Sequence, residues 1–308
     1  MNIGLNSSLL TQKPDHNRYK WNNTHCLQID QEGGTATANY VQTTDFSAIV
    51  NKISGAGSAD IGDAITIAFW VSPLWNVATV DSVANSIVEG YNKSTVTLFS
   101  MGATDSYTHR IKVYYIIRSG VTVLNRLAVL AQGTNGYNLD QQALHDVGDS
   151  GEITDTGASS TNFWEQDNQG SVNSEGFIHL AFTRATGAAD WVMYWNAQDV
   201  GTLDGDTDAD PDPVESEFDT MVLGTNAHYI DDSRTCTPMK FRDLTVYNSA
   251  LSSGNITELY NSGDFYDVRT SSTAAVAAPA IYYPFNHNAA DYMRAGGDMN
   301  GNQTFIAL

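Results

Sequence analysis

The sequence predicts an all-β protein of short antiparallel strands carrying one short helix. Three observations lead there. Only 16% of the residues are charged against 42% hydrophobic, so polarity comes from Asn, Thr, Ser, Gly and Asp. Asn, Asp and Gly tolerate the tight backbone of turns, whereas a helical bundle needs more Glu, Lys, Leu and Arg. The apolar runs are short, β-branched and aromatic, and turn residues bound them. One stretch alone combines helical spacing with signals at both ends.

Taken in order, residues 1–25 are polar and irregular and read as an N-terminal arm or first edge segment. A Gly- and Ser-rich loop lies between Asp45 and Asp63. Ala64-Ile65-Thr66-Ile67-Ala68-Phe69-Trp70-Val71 follows as a buried strand closed by Ser72-Pro73. Thr95–Met101 is a strand, and Arg110–Arg118 with Val121–Ala131 forms a hairpin about Ser119-Gly120. Asn138–His145 has room for two helical turns. Asp146–Glu175 is a long polar insertion with an isolated Phe163-Trp164, and loops of that length usually carry function. Phe177–Arg184 and Trp191–Asn196 form a second hairpin, in which His179 faces away from Ile178 and Leu180. In the helix, Ser252 is the N-cap, Ile256, Leu259 and Tyr260 make the apolar face, and Gly263 is the stop.

These segments resemble the laminin-G-like, concanavalin A-like sandwich family. Thr66–Pro73 looks like its early strand. Phe177–Thr183 followed by Trp191–Asn196 looks like its central hairpin, with Phe177 where the family has Trp and Asn196-Ala197 where it has Asn-Gly. Met221-Val222-Leu223-Gly224 is similar to its next small strand. Phe241-Arg242-Asp243-Leu244-Thr245-Val246-Tyr247-Asn248, running through Leu251 and Ser252 to Leu259, Tyr260 and Gly263, resembles its ending. The resemblance covers residues 26–263. It implies a two-sheet antiparallel jelly-roll sandwich with one short helix, with Trp70, Phe182 and Leu244 buried between the sheets. The expected organisation is an arm at 1–25, a sandwich at 26–270, and a segment at 271–308 that completes the sandwich or serves as an assembly arm.

Charge is unevenly placed. Between Leu127 and Ser233 twenty of the thirty-five acids accompany a single base, Arg184, which accounts for almost all of the net −20. So concentrated an anionic region repels phosphate backbones and anionic lipid. Nucleic-acid binding and membrane insertion are therefore not expected, while divalent cations or a solvated outer surface are. Cys26 and Cys236 make no zinc or redox motif by spacing; they pair in a disulfide or stay as two separate thiols. Met1–Asn6 has no basic stretch or apolar core of a signal peptide, and Ile65–Val71 and Ala274–Ile281 are too short to span a bilayer.

The family resembled here includes glucanases, whose paired carboxylates sit on one strand as Glu-x-Asp-x-x-Glu. Alternation along a strand aims such acids at one face, as glycoside hydrolysis requires. No such triplet occurs; Glu89, Glu152, Glu175 and Glu258 have no acidic neighbour two residues on, and Glu215 and Glu217 fall in a loop stretch. A nucleophile elbow, a phosphate loop and a His-Glu-x-x-His motif are also absent. The chain is therefore expected not to be an enzyme; its seven His residues are scattered, and His179 reads as a packing residue rather than a ligand.

Two candidate sites remain. Asp204, Asp206, Asp208, Asp210 and Asp212 alternate with small residues, and Glu215 follows, in the one, three, five, seven, nine, twelve spacing of a calcium loop. Ala209 stands where an EF-hand needs Gly, so the expectation is a rim calcium site of the kind the resemblance implies, or an acidic loop. Trp164, alone in the long insertion, is a carbohydrate-stacking candidate. The expected function is a structural, adhesive virion component, such as a phage capsid decoration or tail-associated protein, homo-oligomeric and bound to other virion subunits. A lectin-like carbohydrate-binding module at the cell surface or outside the cell is the alternative.

Overall fold

The computed structural model describes residues 25–29, 41–43, 64–73, 88–89, 93–102, 110–119, 122–132, 142–146, 173, 175–186, 191–203, 218, 220–224, 239–285, 299–301 and 304–307. They form sixteen strands, one α-helix and two 3-10 turns, Asn261–Gly263 and Val268–Thr270. The strands are β1 (His25–Ile29), β2 (Val41–Thr43), β3 (Ile65–Pro73), β4 (Val88–Glu89), β5 (Lys93–Gly102), β6 (Arg110–Ser119), β7 (Thr122–Gln132) and β8 (Gln142–Asp146). Then come β9 (Ile178–Arg184), β10 (Trp191–Trp195), β11 (Gln198–Leu203), β12 (Thr220–Leu223), β13 (Met239–Tyr247), the helix α1 (Ser253–Tyr260), β14 (Ile281–Tyr283), β15 (Met299–Gly301) and β16 (Thr304–Ala307).

The strands build two antiparallel sheets packed as a jelly-roll sandwich. The first runs β11-β10-β9-β3-β13-β1-β16, with β14 also on β13; the second runs β15-β2-β12-β5-β6-β7-β8, with β4 on β5. Alternation along β3 decides what each face buries. Ile65, Ile67, Phe69 and Val71 join Phe182, Phe241 and Leu244 in a core shared with Phe99, Met101, Ile111, Val113 and Leu223 of the second sheet. The Phe69 ring stacks on Phe99 at 6.5 Å and meets Phe241 edge-on at 6.0 Å.

Phe182 and Leu244 lie between the sheets, but Trp70 does not. Its neighbours in sequence point inward, so Trp70 is on the outward face, buried with Cys26, Phe177 and Phe265 and partly covered by Tyr260. A layer made of α1 and residues 261–280 covers that face. Ala68, Ala181, Tyr194 and Tyr247 pack there against Leu251, Ile256, Leu259, Val268 and Val276.

The helix forms where its end signals demand. Ser252 Oγ accepts the Asn255 N–H and Asn255 Oδ1 accepts the Ser252 N–H, each at 3.3 Å, closing a capping box. Its end is set by Asn261, left-handed at φ 46°, with Ser262 and Gly263 also at positive φ beyond it. Asn261 rather than Gly263 is thus the stop, since Asn is next to Gly in tolerating this conformation.

Residues 142–145, within the stretch 138–145 given room for two helical turns, belong to strand β8 instead. That strand pairs with β7 from Arg126↔Asp146 to Leu130↔Gln142. A short stretch without end caps has little helical preference of its own, and an open strand edge outweighs it.

Cys26 is a free buried thiol; Cys236 lies outside the described residues. No helix among the described residues is long and apolar enough to cross a membrane.

Candidate functional site

Strand register fixes which connections share an end of the sandwich. β15 and β16 are separated by two residues yet lie in opposite sheets. Such a link spans at most about 11 Å, close to the ~10 Å between stacked sheets. It therefore juxtaposes Gly301↔Val41↔Leu223 of the second sheet with Thr304↔Gln28↔Lys240↔Ser72 of the first.

With that end fixed, both long connections can be assigned. β8 ends at Asp146, opposite Arg126, and β9 begins at Ile178, opposite Val71; both lie toward the Leu223–Lys240 end. β11 ends at Leu203, opposite Trp191, and β12 begins at Thr220, opposite Gly102; both lie at the other end. Trp164, Asp204, Asp206, Asp208, Asp210 and Asp212 themselves lie outside the described residues. The described strands that flank the two segments terminate at opposite ends of the sandwich.

The first of these ends is a polar rim. Asn196 and Ala197 form the β10–β11 turn with φ 48° and 63°, the pair of positive values of a type I′ hairpin. Gln198 and Asp199 beside it are exposed, and so is Glu175 at the foot of β9. Asn173 shapes that foot: its Oδ1 accepts the Glu175 and Phe177 N–H groups at 3.1 and 2.9 Å, and its Nδ2 donates to the Gly263 carbonyl at 3.1 Å.

The broad faces offer less room. In the second sheet Ser100, Lys112, Tyr114, Thr220 and Val222 point away from the core, by register with inward Phe99, Val113 and Leu223. Each is at most 3% exposed, and the Lys112 ammonium lies 4.4 Å over the Tyr114 ring. On the outward face of the first sheet, Ala68, Trp70, Ala181, Tyr194 and Tyr247 pack against α1 and residues 261–280.

Ionisable groups in the described region are tied to packing. The His179 ring lies tilted against Trp70 at 5.1 Å, and burial lowers its pKa to about 3, leaving it neutral. Burial pushes the Cys26 thiol up to about 11, against the opposing pull of Lys240 and Arg242. Burial also raises the Glu258 carboxyl, but hydrogen bonds from Ser271, Thr273 and Tyr266 outweigh this and hold it below its usual range. Among the described residues no three His, Cys, Asp or Glu side chains gather as metal ligands.

A second polar group was not foreseen from the sequence. Arg242 and Asp243 are buried where β13 leaves register with β3, beside Tyr282, Asp267 and Arg269. The sequence signal is the adjacent Arg and Asp within strand β13.

No family model matches the sequence, and no curated protein matches it. Among solved structures, the native heptameric SAP-like pentraxin of Limulus polyphemus aligns over 92% of this chain and 94% of its own, at TM-score 0.47 and 9% identity. A Bacteroides ovatus protein provisionally assigned to carbohydrate binding aligns over 92% and 60%, at 0.47 and 12%. The NanB sialidase of Streptococcus pneumoniae, as its K499G mutant, aligns over 75% and 28%, at 0.43 and 14%. Likenesses at this level carry no argument about ligand or activity.

Proposed function

We propose that the chain is a non-catalytic recognition module that binds glycans at the rim formed by Asn173, Glu175 and the Asn196–Ala197 turn. The observation behind this reading is the contrast between the buried outward residues at the centre of each sheet and the exposed Glu175, Gln198 and Asp199 at this rim. The exposed side chains of Glu175, Gln198 and Asp199 suit sugar hydroxyls, and Trp164 would supply a ring for stacking. The strands support binding over hydrolysis, since no described strand carries two carboxylates. Asp204, Asp206, Asp208, Asp210 and Asp212 would bind calcium at the opposite end and stiffen that rim.

A second reading, assembly into a larger particle such as a virion, is favoured by one feature. Among the described residues β16 ends the first sheet and β15 ends the second, so these two strands present outer backbone groups that could pair with another subunit.

Screening the full chain on a glycan array, alongside sedimentation of the same sample, separates the two. Retention of a defined glycan class by a monomer supports recognition. A homo-oligomer that retains no glycan supports assembly. Sugar release that disappears on substituting a single Glu would overturn the non-catalytic reading.

A further inference from the structure

The Arg242–Asp243 bulge is the point where one edge of β13 changes partner. Residues 239–241 pair with β1 on that edge, and residues 244–246 pair with β14. Asp243 occupies the junction at φ 48°, its N–H directed at the Pro284 carbonyl 3.4 Å away. Asp and Asn accept this left-handed conformation more readily than other residues with a side chain.

The Asp243 carboxylate is almost fully enclosed, and what surrounds it is mixed. Arg242 Nε lies 3.8 Å from Oδ2, and the Tyr282 hydroxyl of β14 donates to Oδ1 at 3.4 Å. Oδ2 accepts no hydrogen bond among the described residues. The covering layer contributes Asp267, which repels the carboxylate, and Arg269, which attracts it. Arg269 is already held by Asp267 through two hydrogen bonds of 2.7 Å. The same corner anchors the layer: Arg242 stands 4.4 Å over the Phe265 ring, and the Tyr282 hydroxyl reaches the Tyr266 carbonyl at 3.5 Å.

We propose that Asp243 is a proton-operated latch, which holds residues 264–273 against the first sheet when protonated and loosens them when ionised. A neutral carboxyl carries no charge to desolvate and feels no repulsion from Asp267. An ionised one must hold a charge in a buried site with one marginal ion pair. Burial accordingly raises its pKa to about 7; Asp267 adds to the rise, and Arg242, Tyr282 and Arg269 oppose it. Because the closed-state value lies above the ordinary 3.8, the latch is strongest below 3.8. It weakens as pH rises toward about 7 and is level beyond. Loosening would uncover the aromatic group of Trp70, Phe177 and Phe265, whatever the rim binds.

Hydrogen exchange of the full chain, corrected for the intrinsic pH dependence, tests this. The amides of Thr270 and Ser271, which donate to Asp267 and Val268 carbonyls, should lose at least about tenfold protection between about pH 5 and about pH 8. Asp243→Asn, which keeps the backbone preference and cannot ionise, should abolish that loss. Tyr282→Phe removes a hydrogen bond to the ionised form and should move the transition to higher pH. Unchanged protection in the native chain across this range, or the same loss in Asp243→Asn, overturns the proposal.

Discussion

Asn196 and His179 close the central hairpin from both sides: the Asn196 N–H donates to the His179 carbonyl at 2.8 Å, and the His179 N–H donates to Asn196 Oδ1 at 3.0 Å. One residue thereby holds the turn and the first rung beneath it, with its side chain buried. The rim proposed for recognition is built on that rung.

The turn retains one strained position. Ala197 sits at φ 63°, where a Cβ costs about 1–2 kcal/mol and Gly costs nothing steric. Ala197→Gly should therefore raise unfolding free energy by about 1 kcal/mol, after the larger backbone entropy of Gly in the unfolded chain is deducted. Urea denaturation with an unchanged m-value checks it; a loss of stability would mean that the Ala197 methyl contributes more by packing than it costs in strain.

Trp70 is expected to matter to the covering layer as much as to the sandwich. Its ring meets Phe265 edge-on at 5.3 Å and stacks near Tyr260 at 5.7 Å. Trp70→Ala should cost about 3–5 kcal/mol and raise proteolytic cleavage within 264–280 before the sheets unfold. Cleavage appearing first elsewhere, or a cost below about 1 kcal/mol, would contradict this placement.

How legible this was from sequence depends on how many faces of an element are buried. The hairpin at Ser119 and the capped helix at Ser252 were readable because turn and cap chemistry are local. The side taken by Trp70 was not, since Ala68 and Trp70 are buried outward while Ile67 and Phe69 are buried inward, which erases the period-two signal of a half-buried strand. β8 was misread because its pairing partner, not its own residues, makes it a strand. The Asp243 junction escaped notice because a change of strand partner leaves only a buried acid and a positive φ, and sequence shows neither.

His179 should destabilise the protein in acid. Its folded pKa of about 3 lies below the ordinary 6.5, so its neutral burial contributes fully above about 6.5 and is lost as pH falls toward 3. His179→Phe, which keeps a ring beside Trp70, should flatten this limb; the lost contribution in the native chain reaches up to roughly 5 kcal/mol. Melting curves of both proteins between about pH 3 and pH 7 decide it, and parallel curves would show that the imidazole finds a proton-accepting partner when charged. Asp243 acts in the opposite sense between 3.8 and about 7, so the difference between the two proteins is the informative quantity.

The most direct test of the account is whether ligand and calcium belong to opposite ends of the sandwich. Titration calorimetry with a glycan retained by the full chain should give at least about tenfold weaker binding for Trp164→Ala. Asp206→Asn combined with Asp208→Asn should leave glycan affinity within about twofold and abolish the heat of calcium binding. Loss of glycan affinity in the acidic-run variant with retention in Trp164→Ala would contradict the assignment of the rims, and a full chain that retains no glycan would contradict the recognition reading itself.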